Sequence, residues 1–310
     1  MEATAGEPAP SSWPELPLSE WADTRDTVHR WSQVVGKVRL ALAPRVNHWW
    51  QITLYVNARG LTTSLMPYGT TAFEMVFDFR RHELAIEPVD RPGATIALGP
   101  RSVADFYEEV MARLAELGLG VEILARPVEV VDATPFADDD EHASYDPDYA
   151  HRFWLSLVQA QRVLARFRAG FQGKVSPVHF FWGAFDLAVT RFSGREAPRH
   201  PGGAPNCADW VMVDAYSHEV SSAGYWPGGT EEGVFYSYAY PEPEGFPAAP
   251  IRSASVAGYD EALGEFVLPY GAVRQAEDPD GLLLGFLEDT YAAAADLGRW
   301  DRAALEYPHH

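Results

Sequence analysis

Only one cysteine, Cys207, occurs in the chain, so no intramolecular disulfide can form and no four-thiolate metal site can be built. Lysine is nearly as scarce: Lys37 and Lys174 stand against 22 arginines. No Lys/Arg cluster interrupts a formal net charge of -20. Such a surface repels phosphate backbones, so nucleic acid and anionic membranes are excluded as primary partners. No apolar run reaches the ~18 residues that a bilayer span requires. Residues 1–14 are small, acidic and Pro-rich, unlike a secretory signal. The expectation is a soluble, cytoplasmic protein. There is no Gly-x-Gly-x-x-Gly or Walker pattern, so no nucleotide cofactor is expected. No Gly-x-Ser-x-Gly elbow is found, and Cys207 sits in a Pro/Asn loop that does nothing to activate a thiolate.

Aromatic residues, by contrast, are abundant: 13% of 310 residues, ten of them tryptophan. Side chains of this size predict a dense core or an aromatic-lined pocket. Along the chain, residues 1–18 read as a disordered, Pro-rich lead. A helix starts at Ser19 as N-cap and stops at Gly36, and Val38–Leu42 alternates as a strand. Strands follow at Trp49–Val56, Phe73–Phe79, Leu84–Glu87 and Thr95–Leu98. Ser102 caps a helix ending near Gly118, and Val121–Val131 returns as a strand. Residues 132–148 form an acidic connector between a first half, 19–131, and a second, 149–310. The second half opens with a helix from Pro147 to Gly170, whose apolar positions repeat by four and three. Strands at Ser217–Ser222 and Val234–Tyr240 follow, and a helix over Asp280–Leu297 closes it.

The two halves repeat one another in order. Gly36-Lys37-Val38 precedes Val46-Asn47-His48-Trp49-Trp50 and Arg59, while Gly173-Lys174-Val175 precedes Val178-His179-Phe180-Phe181-Trp182 and Arg191. Further on, Phe106–Gly118 aligns on Phe286–Gly298. Two anchors in the same order, one containing both lysines, favour duplication over chance similarity of amphipathic segments. The expected fold is α+β: two related halves, each a mainly antiparallel sheet backed by helices, packed about a pseudo-twofold axis. The second copy is longer between its anchors, 104 residues against 56. Insertions elaborate sites on repeating scaffolds, so function is expected in the second half.

There the chemistry-bearing residues are His179, Asp186, Arg191, Arg195, His200, Tyr216, His218 and Glu219. His179 and Asp186 lie in one apolar segment and share a face only if Gly183 makes a bulge. The bland reading is a core histidine and a structural Asp186–Arg191 pair. The functional reading makes His179, Asp186 and Glu219 acid/base groups, with Arg191 or Arg195 holding a substrate carboxylate and Trp182 and Tyr216 lining the pocket. His179, His218, Glu219 and His200 could also supply a divalent transition metal, Fe or Zn, although no short-range ligand spacing supports it. Asp138–His142 lacks calcium-loop spacing and reads as a solvated connector. Lys37 and Lys174 read as structural, paired with carboxylates, or one of them faces an acidic ligand.

The segments Gly173–Gly183, Thr190–Arg195 and Tyr216–Ser222 resemble those of an uncharacterised bacterial family, domain of unknown function 5996, over nearly the whole chain from Trp13 to about Glu306. The resemblance implies a cytoplasmic bacterial protein and carries no activity. The residues themselves suggest an enzyme acting on a small organic substrate through a His/carboxylate centre. Alternatives are a non-catalytic protein binding a small molecule in the same aromatic pocket, and a scaffold whose polar residues are only structural.

Overall fold

The structure, a computed structural model, describes residues 13–228 and 230–307; most of the Pro-rich lead (1–12), Gly229 of the Pro227–Gly229 turn and the terminal His309 and His310 lie outside them. Residues 13–17 are not draped over the surface. Trp13 and Leu16 are buried, with the Trp13 ring edge-on to Phe235 and Tyr270.

Helix α1 runs from Leu18 to Leu42 and is followed by a 3-10 turn, Asn47–Ile52. The first sheet comprises β1 (Tyr55–Val56), β2 (Gly60–Thr62), β3 (Met66–Tyr68), β4 (Thr71–Asp78), β5 (Glu83–Pro88) and β6 (Ala94–Ala97). Helix α2 (Val103–Glu116) begins as expected, its Ser102 side chain accepting from the Asp105 amide at 3.0 Å. Helix α3 spans Pro147–Ala169. The second sheet holds β7 (His179–Phe181), β8 (Asp186–Glu196), β9 (His218–Trp226), β10 (Val234–Tyr240), β11 (Gly258–Asp260) and β12 (Glu265–Pro269), with α4 (Asp209–Ala215) between β8 and β9. Helices α5 (Tyr270–Gln275), α6 (Pro279–Leu297) and α7 (Arg302–Leu305) end the chain.

Both sheets are antiparallel and six-stranded. The first runs β1-β2-β4-β5-β6 with β3 beside β4, and the second runs β7-β8-β9-β10-β12-β11. The α+β class with two sheet-bearing halves therefore stands. At the junction Leu54 and Phe180 exchange both backbone hydrogen bonds, at 2.9 and 2.8 Å. On one face of the second sheet Leu187, Val189, Tyr225, Phe235 and Leu268 are fully buried on the side of α3 and α6.

Several expectations fail for identifiable reasons. Helix α1 starts one residue before Ser19, with no side-chain cap, and continues through Gly36 and Val38–Leu42. Gly36 does not stop it; it makes room. A methyl group there would lie 2.4 Å from the Trp182 indole. Only the end of Trp49–Val56 is extended: residues 49–52 are 3-10 turn, with His48 and Trp49 in the left-handed region (φ 57° and 61°), and strand β1 is confined to Tyr55–Val56. Residues 121–131 are irregular, and Asp139 in the acidic connector is buried between Arg30, at 3.3 Å, and His142, at 2.9 Å.

The repeat is only partly matched. Gly36-Lys37-Val38 is helical whereas Val175 makes an extended bridge to Arg191, and Arg59 pairs with Glu87 at the surface while Arg191 is buried. What does recur is reciprocal: Lys37 lies over Trp182 and Lys174 over Trp50, both at 5.6 Å.

The Gly36–Trp182 contact predicts the sign of one substitution. Gly36→Ala gains about 1 kcal/mol of helix propensity. It loses ~1–3 kcal/mol or more to overpacking, because the neighbour is a rigid buried indole. A urea melt should show a lower midpoint; a higher one would mean the ring yields freely.

Candidate functional site

The stretch 179–191 is a hairpin rather than one strand. His179 pairs with Ala188 and Phe181 with Asp186, around a turn of residues 182–185. No bulge at Gly183 is needed to put His179 and Asp186 on the same sheet face. On this face β8 presents Asp186, Ala188, Thr190 and Phe192; β9 presents Val220, Ser222 and Gly224; β10 presents Tyr236 and Tyr238; and β12 presents Glu265. This is the face turned away from α3 and α6.

A cavity of about 460 Å³ lies over that face. Its roof is the 3-10 turn with His48, Trp49 and Trp50, together with the loop at Ala204-Pro205, α4 and Glu129. The left-handed backbone at His48 and Trp49 costs on the order of 1–3 kcal/mol per residue. Hydrogen bonds hold it in place: Arg39 Nε donates to the Gln51 carbonyl at 2.7 Å and the Val46 amide to Gln51 Oε1 at 3.1 Å. The two strained residues in turn secure α4. Trp49 Nε1 donates to the Val211 carbonyl and His48 Nδ1 to that of Ala215, each at 3.1 Å. With Nδ1 as donor, His48 Nε2 accepts from Lys174 Nζ at 2.6 Å. Burial and the neighbouring lysine hold His48 below its ordinary value, so its ring is neutral.

The floor carries a hydroxyl network. Tyr236 donates to Asp186 Oδ2, crossing β9 at Gly224, where a side chain would collide with the Tyr236 hydroxyl. Tyr216 and Tyr238 share a bond of 2.7 Å, and Thr190 and Ser222 one of 2.8 Å. Three carboxyl groups line the same cavity. Burial raises Asp186 to about 6, while Glu129 and Glu265 rise to about 7 through burial and then repulsion from Asp186. None of the three makes an ion pair among the described residues. Helix α1 positions the segments that carry two of them, Glu129 and Asp186. His29 Nε2 donates to the Gly183 carbonyl at 2.8 Å, and Gln33 bonds both the carbonyl and the amide of Val128, each at 2.8 Å. Glu129 itself rests against Gly183, where any side chain would displace its carboxylate.

The residues singled out from sequence divide. Asp186 and Tyr216 line the cavity. His179 is fully buried under Trp50 and Phe181, both ring nitrogens lack a protein partner, and burial drives it to about 3, so it is neutral. Trp182 is structural: its Nε1 donates to the Ile52 carbonyl at 2.8 Å and its ring seats on α1. Arg191 does not pair with Asp186. It points to the opposite face, donates to the Phe167 carbonyl, and stacks on Phe167 at 3.6 Å and Tyr291 at 4.2 Å. Arg195 and Glu219 are a surface pair at 2.6 Å, with Arg195 also capping the Gly298 and Arg299 carbonyls after α6. His200 stacks on Tyr216 and His218 stands edge-on to His48, so the four proposed metal ligands do not converge. Among the described residues no group of three His, Cys, Asp or Glu is placed to hold a metal ion. Neither lysine makes a carboxylate pair; each sits on an aromatic face instead.

Sequence reasoning missed His48, Trp49, Trp50, Glu129, Tyr236, Tyr238 and Glu265. The period-two tyrosines Tyr236, Tyr238 and Tyr240 were a readable signal of a polar aromatic sheet face. Glu129, on an irregular segment with φ 58°, had none.

A family model described as a family of unknown function, DUF5996, matches residues 13–307. No curated protein and no solved structure matches the chain. No helix among the described residues is long and apolar enough to cross a membrane.

Two outcomes follow from the burial of these groups. Asp186 titrates at about 6 in the folded chain against 3.8 ordinarily, so the folded state holds the extra proton between those values and loses relative stability as pH rises through them. Asp186→Asn, which still accepts from Tyr236, should therefore gain on the parent across pH 4–6, read as the difference in Tm; a gain that shrinks with pH would contradict the assignment. His179→Leu should leave the urea midpoint unchanged or raise it, because two buried unpaired nitrogens are removed. A loss beyond ~2 kcal/mol would instead show that the ring has partners.

Proposed function

This chain belongs to the DUF5996 family, and we propose that it is a small-molecule-binding protein whose ligand occupies the cavity between the second sheet and its roof. The observation that carries this reading is the composition of the wall. Trp49, Trp50, Phe181, Phe192, Trp226 and Tyr236 surround a few converging polar groups in about 460 Å³, within the usual size of a ligand site. Strained residues at its rim and uncompensated carboxyls on its floor add cost to the fold, which is the pattern of sites kept for binding rather than stability.

A second reading rests on Asp186, Glu129 and Glu265. Carboxyl groups raised to about 6 and about 7 are matched to proton transfer at neutral pH, so the cavity also suits acid/base chemistry on the molecule it holds. In that enzyme Asp186 keeps its part as an acid/base group, while His179 and Glu219 drop out. A metal-assisted version lacks support, because no three of its ligands come together among the described residues.

The test is a thermal-shift screen of cationic, anionic and neutral small molecules on the parent and on Ala188→Phe. Ala188 faces the cavity near the start of β8, two residues after Asp186, so the phenyl ring fills the floor. Compounds that raise the parent's Tm should leave the variant unmoved. If no compound distinguishes the two proteins, the reading fails. Recovery of an unchanged ligand after incubation favours binding alone, and a changed one favours chemistry.

A further inference from the structure

Resting on the binding reading, we infer that the cavity selects a small organic cation, an ammonium carried on an apolar or aromatic group. Three carboxyl groups reach the cavity from three separate parts of the chain: the irregular segment at Glu129, the start of β8 at Asp186 and β12 at Glu265. No arginine or lysine lines it. The two lysines nearby are turned to other partners, Lys174 to His48 and Phe192 and Lys37 to Trp182. Negative groups left without a protein cation, inside walls of indole and phenol, form the environment that stabilises a desolvated ammonium. The carboxylates supply charge and the ring faces their quadrupole. An anionic ligand would meet like charge on three sides. The net charge of -20 adds long-range attraction for a cation and opposes an anion.

The same geometry fixes a proton linkage. Without a cation, burial holds protons on all three carboxyls, with repulsion from Asp186 adding to it at Glu129 and Glu265. A bound ammonium favours their ionised form, so binding releases protons below about pH 7 and tightens as pH rises towards it. The other titratable groups around them do not reverse this sign. Tyr216, Tyr236 and Tyr238 are held above their ordinary value, and His48 is neutral. Asp260 pairs with Glu265 across β11 and β12, burial raises the Cys207 thiol, and burial lowers Lys37 to about 8 and lowers Lys174, so any positive charge they lose as pH rises also favours a bound cation.

The experiment compares benzyltrimethylammonium with its neutral isostere neopentylbenzene, by quenching of tryptophan fluorescence and by calorimetry at pH 5.5 and 8. The cation should bind at least ~10-fold tighter than the isostere, given the strength of desolvated cation–π contacts. It should also tighten from pH 5.5 to 8, and weaken several-fold in Asp186→Asn and in Glu265→Gln. If the isostere binds as well as the cation and the amide variants change nothing, the cation inference is overturned while the binding reading stands. If neither probe binds but other compounds separate the parent from Ala188→Phe, the inference is likewise overturned. If nothing separates those two proteins, the binding reading itself has failed.

Discussion

One indole holds the molecule's two halves in register. Trp182 opens the turn after the first strand of the second sheet, and its ring lies on the bare backbone of Gly36 in α1. Its Nε1 donates to the Ile52 carbonyl, where the roof turn ends. Two residues later, Leu54 exchanges both backbone bonds with Phe180. The turn that roofs the cavity and the hairpin that floors it are thus fixed to the same side chain and to the same helix. Glycine in a helix interior costs about 1 kcal/mol relative to alanine. The cost is offset because only glycine lets a helix approach an indole this closely.

Helix α1 extends this control along two further turns. His29 and Gln33, on the same side of the helix as Gly36, hold the turn 182–185 and the backbone at Val128. Glu129 follows directly and packs against Gly183. A half-buried, neutral histidine and an amide thereby set the distance between two carboxyl groups that repel one another. Such repulsion persists only where the surrounding structure over-determines it. Here the surroundings are a fully buried aromatic core, in which Trp21, Trp31, Phe106 and Phe153 stack around the same helix.

Helix and strand periodicity made most of the fold legible. Ser102 as a cap, the apolar stripe from Phe153 to Phe167 and the alternation at Val234–Tyr240 each reflect local chemistry, and each stands in the structure. What failed depended on contacts distant in sequence. Gly36 reads as a helix stop unless Trp182 is known to lie on it. Residues 49–54 read as a strand unless the hydrogen bonds that hold His48 and Trp49 in the left-handed region are known. The candidate site was half legible for the same reason. Asp186 stood out as a charge in an apolar run. His179 stood out equally, yet burial without partners makes it a core group. Arg191 was taken for a partner of Asp186, but β-strand parity sends residues 186 and 191 to opposite faces, and the aromatic cage of Phe167, Phe171 and Tyr291 receives the guanidinium.

The two ends of the cavity differ in rigidity, and the difference follows from what covers them. At the acid end the walls are the sheet, the 182–185 turn and Glu129, and α1 ties that turn and the segment before Glu129 to the core. At the other end α4 has no buried residue, and side-chain hydrogen bonds from His48 and Trp49 hold two of its carbonyls. Removing it from the roof sacrifices little apolar burial, so opening there requires far less free energy than separating the sheet from α1. Trp210, more than half exposed and tilted against Trp49, marks the same edge. On the binding reading proposed above, a molecule enters beside α4, at the soft end, and meets the carboxyl groups at the rigid end. The first half contributes the roof turn to this arrangement and the second half the floor. The greater length of the second half thus accounts for α4 and the loop before it, while the first half supplies what they close upon.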